Sequence, residues 1–133
     1  ERERCVLAVP HSYMNESGGP VAGVLGYFHA EPDRLIVVQD EIDLPFGALR
    51  VKFGGGDNGH NGLKSIRRSL RTGDWYRIRV GVGRGRGDTA DHVLAAFARH
   101  EAAPLEELVD RSVEAVTSLI ESGLEVTQNR FNS

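Results

Sequence analysis

Two polar segments of this 133-residue chain carry side chains that could take part in chemistry. Gln39, Asp40 and Glu41 lie at the C-terminal end of the apolar run "RLIVVQD", and His60 and Asn61 lie in the glycine-rich segment "FGGGDNGHNG". Asparagine offers both a donor and an acceptor in a short side chain, the groups needed to hold an ester carbonyl or an attacking water. Without further context, the favoured interpretation is that His60 and Asn61 stabilise their own loop by bonding to local backbone.

The acidic cluster Asp40, Glu41 and Asp43 leaves two interpretations open. Oxygen ligands of this kind bind divalent metals, which would make the chain a metal-dependent hydrolase. However, no histidine or further carboxylate stands beside them at ligand spacing. Acids at strand ends more often cap helices, form turns or pair with cations. We therefore expect no metal and no cofactor.

The glycine-rich segment favours close approach of a ligand to the backbone. Glycine adopts positive φ without strain, and a helix that begins near Asn61 would direct its positive end at an anion or a carbonyl oxygen. The segment is not a P-loop, because the lysine and Ser/Thr of that motif do not directly follow the glycines.

Four runs predict the strands that position these segments. Residues 5–10 ("CVLAVP") and 34–40 are continuous apolar runs, typical of buried strands, and Pro10 ends the first. We expect the second to be buried on both faces. Residues 48–53 ("ALRVKF") and 75–83 ("WYRIRVGVG") alternate apolar with basic residues and predict strands with one basic face.

Helical spacing recurs in four segments. Apolar residues three and four apart predict helices within 18–30 and 61–71, the second with a basic outer face, and a short helix is expected at 91–101. A longer helix should cover 104–122 and stop at Gly123. Its predicted buried stripe consists of Leu105, Leu108, Val109, Val113, Val116, Leu119 and Ile120.

Length and composition favour one globular domain over residues 1–133. Hydrophobic residues at 40% and charged residues at 26% are ordinary for a folded chain of this size. Cys5 is the only cysteine, so no internal disulfide can form, which fits a reducing cytoplasm, and we expect its thiol to be buried in the apolar run. No apolar stretch approaches the roughly 20 residues that span a bilayer.

The net charge of −3 hides a basic centre. Residues 48–87 carry ten Lys/Arg against two acids, a balance of +8, whereas residues 1–47 and 88–133 balance at −5 and −6. Such a block indicates a positive face that binds a polyanion. The alternative is that these cations are solvated or paired with acids elsewhere.

Taken together in this order, three motifs resemble the bacterial-type peptidyl-tRNA hydrolase family. They are "PHSYMNESG", "VVQDEIDLPFGALRVKFGGGDNGHNGLKSI" and "YRIRVGVGRG", followed by a helical tail that ends in "QNRF". The resemblance covers nearly the whole chain. With the predicted elements, it implies a three-layer α/β fold in which a mixed, mostly parallel sheet is flanked by helices.

The resemblance also implies an activity: hydrolysis of the ester between a peptide and the 3′ end of tRNA, which recycles tRNA, without a metal or a covalent intermediate. Asp40 matches the family aspartate that orients the catalytic histidine. Asn15 and Asn61 match asparagines that position the substrate, the water and the oxyanion. We expect a monomer that acts in the cytoplasm on peptidyl-tRNA, with no membrane partner.

Further positions match the substrate-binding residues of the family. Tyr13 and Met14 lie against the peptide and the terminal adenosine, and Gly59 and His60 belong to the "GHN" loop. Lys52 and Arg79 match the basic pair that binds the tRNA 5′ phosphate, in agreement with their place in the basic centre.

Two departures from the family pattern stand out. Family members open with a "GLGNPG"-like strand and turn before the loop that carries the catalytic histidine, and none of the five histidines here matches it. We therefore expect the general base to lie outside this sequence, as in an N-terminally incomplete enzyme. The alternatives are that the opening segment comes from another chain, or that the protein is a short, non-catalytic paralogue that binds tRNA or another RNA. Gln39 also replaces a common family histidine, which affects only fine tuning.

Overall fold

A computed structural model describes residues 5–9, 16–56, 60–83 and 102–132. The chain forms two compact units, each built from two stretches of sequence. One unit comprises Glu1–Leu35 and Gly54–Trp75, and the other comprises Ile36–Phe53 and Tyr76–Ser133. We call them the helical unit and the sheet unit. The single domain expected over the chain stays a prediction.

The helical unit pairs two helices at close range. Helix α1 covers Gly18–Tyr27 after the N-cap Ser17, a one-turn 3₁₀ helix covers Pro32–Arg34, and helix α2 covers Asn61–Leu70. The helices meet where the backbone N–H of Gly18 donates to Ser65 Oγ at 2.8 Å. A Cβ at Gly18 would lie 2.2 Å from the Ser65 carbonyl oxygen, so only glycine permits this approach.

The sheet unit contains three strands, which are β1 (Ile36–Glu41), β2 (Leu49–Phe53) and β3 (Tyr76–Gly81). Strand β3 is central: it pairs in parallel with β1 and antiparallel with β2, so the sheet is mixed. Alternation along β2 and β3 places apolar side chains on one face and basic side chains on the other. The basic face predicted for these two strands is confirmed.

Two further helices cover the apolar face of this sheet. Helix α3 covers Ala102–Ser122, and α4 covers Leu124–Phe131 after Gly123, which ends α3 with a positive φ of 87°. Both helices contact strands of the unit. The core consists of Leu49, Val51, Ile78, Leu108, Ala115, Leu119 and Phe131. The predicted α/β fold with a mixed sheet flanked by helices is confirmed.

The end of the chain completes the free edge of β2. The backbone N–H of Val51 donates to Asn132 Oδ1 at 2.7 Å, and Asn132 Nδ2 donates back to the Val51 carbonyl at 2.9 Å. Gln128 Nε2 donates to the same carbonyl at 3.1 Å. The side-chain amide of Asn132 thus bonds to Val51 as a neighbouring strand would, so both edge-facing backbone groups of Val51 are satisfied.

Three sequence predictions are wrong in the structure. Residues 5–9 form no strand, and Cys5 with its neighbours is exposed, because an apolar run becomes a strand only where another strand pairs with it. Strand β1 is not buried on both faces: it lies at an edge of the described sheet, and Val38 is 49% exposed. Within the α3 stripe, Val109, Val113 and Ile120 are exposed, whereas Ala115 and Ser118 are buried.

Two sequence predictions remain, one on a short helix and one on membrane-spanning segments. The short helix predicted at 91–101 lies outside the described residues. Within the described ranges, no helix has the length and apolar character needed to cross a membrane.

Candidate functional site

Asp40 lies near the C-terminal end of β1, on the face of the sheet that α3 covers. Its register partner on β3 is Val80, and its side chain is exposed. It lines an apolar groove of about 440 Å³ together with Val38 and Val80 of the strands and Leu108 and Val113 of α3. A carboxylate here borders an apolar surface, where electrostatic interactions are less screened than in bulk water.

The opposite face of the sheet is strongly cationic. Strands β2 and β3 place Arg50, Lys52, Arg77 and Arg79 on it, with Arg50 opposite Arg79 and Lys52 opposite Arg77. Like charges directly across a strand pair repel each other. We call these four residues the cationic face.

Glu41 pairs with this face at the end of β1. Its Oε1 accepts from Arg79 Nε at 3.1 Å and from Arg79 Nη2 at 3.0 Å, and its side chain is only 7% exposed. Its Oε2 accepts the backbone N–H of Asp43 at 3.3 Å, which ties the carboxylate to the turn after β1. Both oxygens of the buried carboxylate are therefore bonded.

The cationic face perturbs Lys52. Desolvation by partial burial lowers the pKa of its ammonium group below 10.5, and the positive charges of Arg79 and Arg77 lower it further, against an opposing effect of Glu41. The pKa shift therefore reflects burial first and the neighbouring positive charges second.

His60 and Asn61 lie at the start of α2, in the helical unit. His60 is the N-cap residue, and its Nδ1 accepts the backbone N–H of Leu63 at 3.3 Å. This bond makes Nδ1 an acceptor, so the ring proton of the neutral imidazole resides on Nε2. The local role weighed for His60 is thus present, while Asn61, the first helical residue, is exposed.

The glycine-rich segment is anchored before it reaches α2. Gly54 and Gly55 have positive φ values of 74° and 100°. The Gly54 N–H donates to the Trp75 carbonyl at 2.9 Å, and Arg67 Nη1 of α2 donates to the Gly55 carbonyl at 3.3 Å. The basic helix therefore holds its own preceding loop.

The structure groups only some of the predicted site residues. Lys52 and Arg79 lie on the cationic face, whereas Asp40 lies on the other face of the same sheet. His60 and Asn61 belong to the helical unit. Four predicted residues, Tyr13, Met14, Asn15 and Gly59, lie outside the described residues.

The acidic cluster does not form a metal site. Glu41 is engaged by Arg79, and Asp43 and Asp40 are exposed. In the described parts of the chain, no group of three or more His, Cys, Asp or Glu side chains is arranged to hold a metal ion.

Comparison with known proteins decides the family. The family model described as peptidyl-tRNA hydrolase matches residues 1–133. The chain belongs to the peptidyl-tRNA hydrolase family. This membership confirms the family, and with it the hydrolase class, that the three motifs predicted.

Relatives and solved structures of the peptidyl-tRNA hydrolase family agree. The chain is 53% identical over 132 residues to the peptidyl-tRNA hydrolase of Frankia alni and 50% identical to that of Kineococcus radiotolerans, in each case over 98% of this chain and 67% of the relative. The crystal structure of peptidyl-tRNA hydrolase from Acinetobacter baumannii superposes with a TM-score of 0.77 at 29% identity, over 93% of this chain and 64% of that one. The chain thus spans about two thirds of the length of these proteins.

Sequence reasoning missed the contact between Glu41 and Arg79. An ion pair is one of the roles that the sequence leaves open for Glu41, but the sequence does not identify Arg79 as the partner. Alternation places Glu41 on the same face of β1 as Gln39, and this much is visible in the sequence. Gln39 lies opposite Arg79 across the parallel pair, which brings Glu41 close to Arg79. That pairing of the two strands could not be read from the sequence.

Proposed function

We propose that this chain takes part in hydrolysis of the ester bond between peptide and tRNA in peptidyl-tRNA. Family membership over the full 133 residues is the observation that supports this most strongly. No observation favours a non-catalytic RNA-binding paralogue, so the hydrolase is the only function proposed.

The separation of Asp40 from the cationic face suits this substrate. The 5′ phosphate of a tRNA lies at the end of the acceptor duplex, whereas the ester lies at the tip of the single-stranded 3′ end. A protein that binds both therefore needs two distinct places on its surface. Asp40 on one face and Lys52 with Arg79 on the other supply such a division within the sheet unit.

The proposed roles follow the chemistry of ester hydrolysis. Asp40 orients the general base, which in the family is a histidine of the opening segment, and Asn15 and Asn61 position the substrate and stabilise the oxyanion. Tyr13, Met14, Gly59 and His60 contact the peptide and the terminal adenosine. Lys52 and Arg79 bind the 5′ phosphate.

The site is proposed to work without a metal. Water is the nucleophile, and the histidine base removes its proton directly. A chelator should therefore leave the rate of ester cleavage unchanged, whereas a hydrolase that used Asp40, Glu41 and Asp43 as metal ligands would lose activity.

We also propose that the 133 residues act as one domain and as a monomer in the cytoplasm. Each of the two units is interrupted in sequence by the other, so no single cut of the chain separates them.

Replacing Lys52 should weaken tRNA binding and stabilise the fold. Lys52→Met removes one phosphate contact, so we expect about a tenfold loss of affinity for acceptor-stem RNA. In a plot of the logarithm of the binding constant against the logarithm of the salt concentration, the slope should become less steep by about 0.9. Because the folded-state pKa of Lys52 is lowered, its protonated form disfavours folding at neutral pH. The variant should therefore unfold at higher denaturant concentration at pH 7.

The pH dependence and a control test this prediction. The stability advantage of Lys52→Met should shrink as pH rises through the lowered folded-state pKa towards 10.5, where the unfolded chain also loses the proton. Arg130→Met removes an exposed cation that pairs with exposed Glu114, so it should change neither affinity nor stability by much. Equal losses of affinity in both variants would contradict a specific contact at Lys52.

A further inference from the structure

Glu41 is the counter-charge of Arg79 on the cationic face. It is the one carboxylate that the three described strands place on this face, and the cation that it contacts is Arg79. The Glu41 side chain is also more buried than that of Arg79, with 7% of its surface exposed against 18%. A buried carboxylate of this kind is retained at a desolvation cost, which its two bonds to Arg79 and one to Asp43 offset.

The contact fixes the orientation of the Arg79 guanidinium. Nε and Nη2 both donate to one oxygen of Glu41, and two bonds to a planar group define its plane as well as its position. Within the described residues, this geometry leaves the Nη1 amino group of Arg79 for a second acceptor.

Without Glu41, the Arg79 guanidinium would lose its two-bond carboxylate partner while like charges remain on the neighbouring strand positions. Arg50 lies directly opposite Arg79, and Lys52 and Arg77 form the adjacent cross-strand pair. A long side chain under such repulsion turns away from its neighbours, and holding it in one rotamer then costs conformational entropy.

We propose that Glu41 is a positioning residue for recognition of the tRNA 5′ phosphate, because it holds Arg79 in the orientation that presents its remaining amino group to the phosphate. This inference rests on the proposed role of Arg79 as a phosphate ligand. Glu41 itself repels the phosphate, so its benefit comes from preorganisation rather than from attraction.

The test measures how strongly the protein prefers a 5′ phosphate. The probe is an acceptor-stem RNA hairpin with a 3′ CCA end, prepared with and without its 5′ phosphate, and the readout is the ratio of the two dissociation constants. Charge-assisted contacts to phosphate predict a ratio of about tenfold or more for the unchanged chain. Glu41→Ala should reduce the ratio to about the value of Arg79→Ala, in which the Lys52 contact alone remains.

Two further variants separate positioning from charge. Arg79→Lys keeps the cation but cannot make the two-donor contact to Glu41, so it should lose the preference almost as fully as Arg79→Ala. The double variant Glu41→Ala, Arg79→Ala should be no worse than Arg79→Ala alone, since the two residues act as one unit. The exposed pair offers the control, and Glu114→Ala should leave the ratio unchanged.

The remaining outcomes each decide the matter. A higher ratio in Glu41→Ala than in the unchanged chain would mean that Glu41 competes with the phosphate for Arg79. If the ratio were unchanged in Glu41→Ala but reduced in Arg79→Ala, Glu41 would have no positioning role. Either result overturns the inference alone, whereas an unchanged ratio in Arg79→Ala overturns the proposed phosphate site itself. If Glu41→Ala does not fold, Glu41→Gln takes its place, because glutamine keeps the side-chain volume and a weaker acceptor. Glu41→Gln should lower the ratio at least threefold. A ratio equal to that of the unchanged chain would overturn the inference.

Discussion

Asp40→Asn, in the chain extended by the family's opening segment, should lower kcat for peptidyl-tRNA hydrolysis by about 10²–10⁴-fold. The substitution keeps the size of the side chain but removes the charge that fixes the tautomer of the base and stabilises its protonated form. Affinity for tRNA should change by less than about threefold, because the proposed phosphate contacts lie on the other face of the sheet. Single-turnover peptide release and equilibrium tRNA binding measure the two effects separately.

Asp43→Asn is the matched control for Asp40. Asp43 is an exposed carboxylate in the turn directly after β1, and the bond that it gives to Glu41 comes from its backbone N–H. Its replacement by asparagine leaves that bond intact, so the rate should stay within about twofold of the unchanged enzyme. If Asp40→Asn lost affinity and rate by the same factor, Asp40 would be a binding residue and its role beside the base would be wrong.

Gly81→Ala should destabilise the sheet unit by about 3 kcal/mol, at the upper end of the cost of overpacking. An added Cβ would lie 2.1 Å from the Pro45 carbonyl oxygen and 3.1 Å from that of Ala48, both backbone atoms that cannot move alone. Gly81 also donates to the Ala48 carbonyl at 2.7 Å and accepts from the Gly47 N–H at 3.1 Å. The clash would therefore break the contact between β3 and the turn that follows Glu41.

Thermal unfolding and activity should both report this clash. A loss of this size lowers Tm by about 10 °C for a chain of this length. The displaced turn also follows Asp40, so peptide release should fall even at temperatures where the variant is folded. Gly23→Ala provides the contrast, because a Cβ there meets nothing within 4 Å in helix α1, and alanine should stabilise the helix by about 0.5–1 kcal/mol. Equal effects at the two glycines would contradict the packing of Gly81.

The parts of the fold that the sequence predicted are those in which local pattern and tertiary contact agree. Alternation in β2 and β3 identified the face of each side chain, since a strand has only two faces. Helix α2 was predicted because its apolar and basic residues separate cleanly, and both Leu63 and Ile66 are buried as expected.

The failures arise where burial depends on a neighbour that the local pattern does not specify. The apolar run at 5–9 reads as a strand, yet pairing rather than composition makes a strand. The apolar stripe of α3 is wider than the part of the helix that other described elements cover, so the side chains of Val109 and Val113 stay 53% and 59% exposed. A pattern shows which side of a helix is apolar but not how much of that side is covered.

The candidate site was predictable residue by residue but not as an arrangement. The motifs pointed to Asp40, Lys52 and Arg79, and the alternation of each strand was visible. That Asp40 lies on the opposite face from the two cations follows only from the order and register of the three strands. The engagement of Arg79 by Glu41 depends on the same register, and therefore required the structure.

Release of peptide from a peptidyl-tRNA is the measurement that tests the central claim most directly. It compares this 133-residue chain with the same chain extended at its N-terminus by the family's opening segment, which carries the family's catalytic histidine. We predict that both forms bind tRNA and that the extended form cleaves the ester, with a rate that depends on Asp40. If neither form cleaved while both bound tRNA with strong salt dependence, the chain would be an RNA-binding module and the proposed hydrolase function would be wrong.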